Sequence, residues 1–182
     1  MMRAHHPVLL VLGGLAVLAA SFFVALFLLR NGIWIPGDDP AEQLARFNAR
    51  DVSELEQAAA QAGLRKSDAI VGWIETTSRQ PDGTLRVSGW AADGTGDGSP
   101  MLVVVLANGK VLLRMSTKGT RNDVQQVLRG MNFRPEVVGR DVFAEGTSSQ
   151  RISCGEMKTV LIIGVNNKGQ FRGLPGSPAQ GC

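Results

Sequence analysis

Three hydrophobic rhythms follow one another along the chain. From Pro7 to Leu29 apolar and small residues run for 23 positions without a single charge. At about 1.5 Å of rise per residue, such a run crosses a ~30 Å hydrocarbon core as a helix. Gly13 and Gly14 do not prevent this, because in lipid no water competes for the helix backbone. A cleavable leader has a shorter apolar stretch of ~7–15 residues, ending at an Ala-x-Ala-like site. Here Ala19-Ala20-Ser21 is followed by eight further apolar residues, Phe22 to Leu29. The run predicts an uncleaved single-pass anchor, with residues 1–6 as a short cytoplasmic tail.

From about residue 30 to 66 the apolar positions thin out and take a helical spacing. Trp34 follows the span at the height of a membrane–water boundary, where an indole rests well, and serves equally as a packing residue for the helix beyond. Asp38-Asp39-Pro40-Ala41-Glu42 is a helix start, with an acidic cap, a proline in the first turn and a carboxylate beside the exposed amides. This helix is expected to reach about Ala49. A second is predicted from Asp51 or Ser53, where Ser53 and Glu56 have capping-box spacing, through Ala62 to a stop at Gly63. Leu44, Phe47, Val52 and Leu55 make only a thin stripe. The segment therefore predicts a short helical neck, a stalk or a pair packed on the main domain, with no sustained heptad.

Beyond Ser67 the period shortens to two. Strands are predicted over Ala69 to Thr77, Thr84 to Ala92, Met101 to Ala107, Lys110 to Ser116, Glu136 to Ala144, Lys158 to Val165 and Gln170 to Leu174, with a short helix over Arg121 to Leu128. Gln80-Pro81-Asp82-Gly83 is a turn, and Asn108-Gly109 is the strongest short hairpin signal. Met101 to Leu106 is apolar on both faces, as befits a central strand. Closely spaced strands without βα alternation predict a mainly β fold over 67–174, an antiparallel sandwich or partly open barrel. Residues 175–182 form a C-terminal tail.

Composition removes several functions. Of 19 basic residues Arg3 and Arg30 flank the apolar run, leaving 17 against 16 acidic ones. That balance offers no clustered basic face for nucleic acid. Both histidines, His5 and His6, precede the span, and tyrosine is absent. A histidine base, a Ser-His-Asp or Cys-His device and a His-ligated zinc are therefore unavailable after it. No nucleophile elbow, P-loop or dinucleotide fingerprint occurs. Glu75 with Asp82, or Asp141 with Glu145, are imaginable acid/base pairs, but no spacing singles one out. No catalytic residue, metal or cofactor is assigned.

The two cysteines are Cys154 and the last residue, Cys182. Joined, they close a loop of about 29 residues, which the chain-entropy model values at ~3–4 kcal/mol. They would staple a Gly/Pro-rich tail and place the domain in an oxidising compartment such as a periplasm. Basic residues flanking the span, Arg3 before it and Arg30, Arg46 and Arg50 after it, lean the other way. The cysteine pair is given the greater weight.

The stretch Val87-Ser88-Gly89-Trp90-Ala91-Ala92-Asp93 resembles the "G-W-A-x-D" β-sandwich modules of bacterial envelope and polysaccharide-associated proteins. Pro100, the valine-rich strand, Asn108-Gly109 and Arg121-Asn122-Asp123-Val124 extend the resemblance over roughly Val71 to Leu174. It implies an Ig-like sandwich outside the cytoplasm. The helical neck and the cysteine pair fall outside the pattern.

Four residues remain as candidate ligand contacts: Trp73, Trp90, Asp93 and Arg121. Gly72-Trp73 and Gly89-Trp90 lie on neighbouring strands, so the indoles would stack on a sugar ring if exposed; packing in the sandwich core is the expected use. Asp93, Thr95 and Asp97 followed by Gly98 match the first half of a calcium loop. The twelfth position is Val104, where a bidentate glutamate is needed, so a capped turn is expected instead. Arg121 and Asp123 are expected to interact at the helix start. The resulting expectation is a non-catalytic accessory protein of a bacterial inner membrane, with a carbohydrate-binding module as the alternative and a carboxylate-based hydrolase ranked below it. Its partners would be the lipid bilayer and another envelope or membrane protein, with a polysaccharide as the alternative ligand and no nucleic acid.

Overall fold

Period-two alternation after Ser67 resolves into two antiparallel sheets. A computed structural model describes residues 39–61, 64–96, 98–134, 140–177 and 179–182. The predicted span and tail at 1–29, Trp34, Asp38, Ala62, Gly63, Asp97 and Glu136 lie outside the described residues. Among those described, no helix is long and apolar enough to cross a membrane.

The first sheet orders β1 (Ile70–Arg79), β2 (Thr84–Asp93) and β5 (Phe143–Arg151) as β1-β2-β5. The second orders β3 (Leu102–Ala107), β4 (Lys110–Ser116), β6 (Leu161–Val165) and β7 (Phe171–Gly173) as β4-β3-β6-β7. Ile70, Ile74, Leu85, Val87, Val103, Val105 and Ile162 fill the space between the sheets. The residues between them in sequence, Val104, Leu106, Leu161 and Ile163, face the other way and are buried as well. β3 and β6 are therefore central strands covered on both faces, which is why their sequences lack polar alternation.

Helices α1 (Pro40–Ala45) and α2 (Val52–Gln61) supply that second cover. Ala41, Leu44, Leu55 and Ala59 pack with Phe171 against the outer face of the second sheet. Asp39 caps α1 by accepting from the Ala41 amide at 2.9 Å. Arg114 of β4 pairs with Asp39 at 2.9 Å and with Glu42. The predicted Ser53–Glu56 capping box does not form. Asp51 accepts from the Glu54 amide instead, and Glu56 bridges to Lys66 at 2.7 Å and to the Gly173 amide. The helix begins at Val52, so Asp51 holds the cap position and Ser53 lies inside the first turn, while the extended side chain of Glu56 gains two other partners.

On the outer face of the first sheet lies α3 (Asn122–Gly130), with Val124 and Leu128 buried against Ala92 and Val142. The order of layers is thus helices, sheet, sheet, helix. The predicted strand at Glu136 to Ala144 is displaced to Phe143–Arg151. Its inward positions, Ala144, Gly146 and Ser148, are small or polar and carry little hydrophobic signal. The predicted strand at 158–165 begins only at Leu161: α4 (Cys154–Met157), which opens with a Ser153–Glu156 capping box, runs up to its expected start, and a short turn takes the first positions.

The corners of the sandwich are closed differently. Beyond β4, Lys118 donates to the Phe143 carbonyl at 2.6 Å. On the opposite side the chain leaves β7 and crosses to the first sheet. There it runs parallel to β1, bridging Ile74 to Gly176 and Ser78 to Gln180. A disulfide joins Cys154 to Cys182, Cα atoms 5.5 Å apart, and fixes the end of this crossing strand.

Candidate functional site

Ile70 and Ile74 occupy the core face of β1, so alternation turns Val71 and Trp73 outward. On β2 the same rule turns Trp90 and Ala92 outward. Trp73 and Trp90 are direct partners in the register, so both indoles lie on the outer face of the first sheet. Trp90 is half-buried beside α3, whereas Trp73 is 44% exposed. Neither indole therefore enters the core between the sheets: the inward positions are held by neighbours such as Ile74 and Val87, and the α3 cluster packs on Val71 and Trp90 but leaves Trp73 open.

The two indoles border an open groove of about 370 Å³. One wall is the first part of β1, Ile70 to Trp73. The other is Arg172 to Pro175, where the chain passes from β7 to the first sheet, and Met131, just past α3, closes one end. Met131 is 50% exposed, and Val127, one helical turn earlier, is 45% exposed. Among the described residues, Arg172 is the groove's single charged side chain. It donates to the carbonyls of Asp68 at 2.9 Å and Ile70 at 3.4 Å. Among the described residues, the lining contains no carboxylate, hydroxyl or thiol, so these offer apolar contact and aromatic stacking and supply no nucleophile or acid/base group.

The other two candidates do not join the tryptophans. Arg121, at the start of α3, donates to both oxygens of Glu75 at 2.6 Å and to Asp123, and lies over the Phe143 ring at 5.8 Å. Glu75 sits at the irregularity between Ile74 and Thr76, the kind of bulge that re-aims a side chain. The bonds to Asp123 and Glu75 push the Arg121 pKa further up, and the same guanidinium holds the Asp123 carboxyl below its usual range. With its donors engaged, Arg121 clamps α3 to β1.

Asp93 is buried at the end of β2, on the inward side of the alternation. Its Oδ1 accepts from the Thr95 amide and hydroxyl at 2.9 Å each, and its Oδ2 accepts from Asn166 Nδ2 at 2.7 Å. The carboxylate is thus committed to the turn and to the β6–β7 connection. Among the described residues no group of three or more His, Cys, Asp or Glu side chains could hold a metal.

Met131, Arg172 and Pro175 escape sequence reasoning because they come from three distant stretches with no shared motif. The outward placement of Trp73 did have a signal, in the Ile70, Gly72, Ile74 alternation. Comparison with known proteins adds no precedent: no family model, curated protein or solved structure matches the chain.

Proposed function

We propose that this chain is a non-catalytic docking protein, tethered to a bacterial inner membrane by residues 7–29, whose Ig-like sandwich binds an envelope protein in the periplasm. The observation that carries the reading is the grouping of exposed apolar side chains. Trp73, Val127 and Met131 are the exposed large hydrophobics among the described residues, and all three border or adjoin the groove. Grouped apolar exposure of this kind favours an interaction surface over scattered surface hydrophobics. Aromatic and methionine side chains are also enriched where proteins meet.

The placement of the tether agrees with this use. α1 begins at Pro40, soon after the uncharged run, and packs on the outer face of the second sheet. The groove belongs to the outer face of the first, so a partner seated there does not compete with the tethered side. The Cys154–Cys182 disulfide supports an oxidising compartment, and the resemblance to G-W-A-x-D modules supports an envelope setting. Polysaccharide recognition is the second reading, favoured by paired indoles on one accessible face. It ranks lower because the described lining residues include none of the carboxylates and side-chain amides that hold sugar hydroxyls.

A photo-reactive residue placed at 73, at 127 and, as control, at Gln57 on the opposite helical layer tests the proposal in intact cells. One discrete protein adduct from 73 and 127, absent from 57, is the expected result. Equal adducts from all three positions, or none from 73 and 127, would count against it. Labelling of the cysteines by an impermeant thiol reagent only after reduction, without lysis, tests the compartment.

A further inference from the structure

The groove holds more than apolar side chains, because part of the β1 edge faces it with its backbone unpaired. Ala91, the register partner of Gly72, donates its amide to Val142, the residue just before β5, on the side away from β1. The Gly72–Ala91 pair is therefore the non-hydrogen-bonded kind, and the Gly72 amide and carbonyl point to the other side. Two residues on, Ile74 shows what that side can bind. Its amide donates to Pro175 at 2.8 Å, and its carbonyl accepts from Ser177 at 2.8 Å, in the parallel ladder made by the chain's own C-terminal segment.

That ladder stops at Gly72 for a covalent reason. Continued by one step, the donor to the Gly72 carbonyl would be the nitrogen of Pro175, which carries no hydrogen. The amide before it, on Leu174, is turned to the Ile162 carbonyl in the other sheet at 2.8 Å. Gly72 is left with no backbone partner on this side among the described residues, and it lines the groove together with Trp73 and Arg172.

We infer that this open step of β1 binds an extended segment of the partner chain as an added strand. The segment pairs with the Gly72 backbone, seats an aliphatic or aromatic side chain against Trp73 and Trp90, and carries an acidic group toward Arg172. The inference rests on the docking reading and specifies its partner. Strand addition to a free edge is a general mode of peptide capture, with the main chain supplying affinity and alternate side chains supplying specificity. Here the same edge already accepts one strand from within the molecule. The charge at Arg172 favours a carboxylate, since its nearest acid, Asp68, lies 3.7 Å away and is open to water.

The test uses the full chain in detergent micelles and short synthetic peptides that alternate leucine or phenylalanine with threonine, made with and without a terminal glutamate. The best-binding peptide is expected to slow amide exchange at Gly72 by about tenfold. Its affinity is expected to fall with Trp73→Ala and with Met131→Glu, both at exposed positions. The glutamate-bearing series is expected to bind more tightly, an advantage lost in Arg172→Gln. Binding that leaves Gly72 exchange unchanged would overturn strand addition while leaving the docking reading intact. Absence of binding by every peptide would also overturn it, and the cross-linking experiment would then decide the docking reading separately.

Discussion

Trp73 and Trp90 face each other across β1 and β2, and the glycine before each presses on the backbone of the other. A β-carbon added at Gly72 would meet the Trp90 carbonyl, and one added at Gly89 would meet the Trp73 carbonyl, both well inside 3.0 Å. The two Gly-Trp steps are thus one reciprocal device. Each glycine lets the strands approach closely, and that approach sets the indoles side by side.

Gly72→Ala and Gly89→Ala are accordingly expected to destabilise the fold by about 1–3 kcal/mol each, the usual range for overpacking against atoms that do not yield. Gly130→Ala is the control. Its β-carbon meets nothing within 4 Å, and it ends α3, so a gain of about 0.5–1 kcal/mol is expected. Urea midpoints at constant m-value measure all three. An unaffected Gly72→Ala protein would mean that the strands separate freely at the indole pair.

Removing the disulfide should act on the crossing strand before the sandwich. Cys154→Ser with Cys182→Ser frees a cross-link between residues 28 apart, with an expected loss of about 3–4 kcal/mol from the unfolded-state entropy it no longer restrains. The Ile74 and Arg79 amides, which donate to Pro175 and Gln180, should then exchange faster than those of β3. Uniform acceleration across both sheets would show that the tail does not open separately.

Acid stability has a definite sign. Bonds from Ser153 hold the Glu156 carboxyl below its ordinary 4.5; Arg121 does the same for Asp123 and Thr84 for Asp82, each below an ordinary 3.8. A carboxyl with a depressed folded pKa contributes stability above its unfolded pKa and loses it as pH falls through the folded value. Glu156→Gln should therefore be less stable than the parent at neutral pH, and the difference should shrink as pH drops from 4.5 downward. Parallel stability curves for the two proteins across that window would refute the assignment.

How much of this was legible beforehand depended on the signal each residue carries. Asn108 and Gly109 both take positive φ, 49° and 69°, as the hairpin dipeptide demands, and β3 and β4 flank them as expected. The unbroken apolar run at Val103 to Leu106 likewise announced a strand buried on both faces. The sequence pattern sets β5 too early because its inward residues answer to neighbours in space. Gly146 is small because the Met115 sulfur lies where a β-carbon would go, and Ser148 is polar because its hydroxyl accepts the Leu85 amide at 2.9 Å. The groove was harder still. Pro175 matters only once the tail lies along β1, and no periodicity reports a missing N–H.

The α3 face separates stability from binding most cleanly, because neighbouring residues differ in burial. Leu128 is fully buried and Val127 is 45% exposed. Leu128→Ala should cost about 2–5 kcal/mol through lost contacts and the cavity left behind. Val127→Glu and Met131→Glu, at the surface, should change stability by no more than about 0.5 kcal/mol. If the groove and its rim form the docking face, the two surface variants should nonetheless abolish the cross-link from residue 73, while Leu128→Ala should weaken it only in proportion to the unfolded fraction. Urea unfolding and cross-linking yield, measured on the same variants, separate the two effects. Surface variants that retain the cross-link would confine the contact to the β1 edge and remove α3 from it.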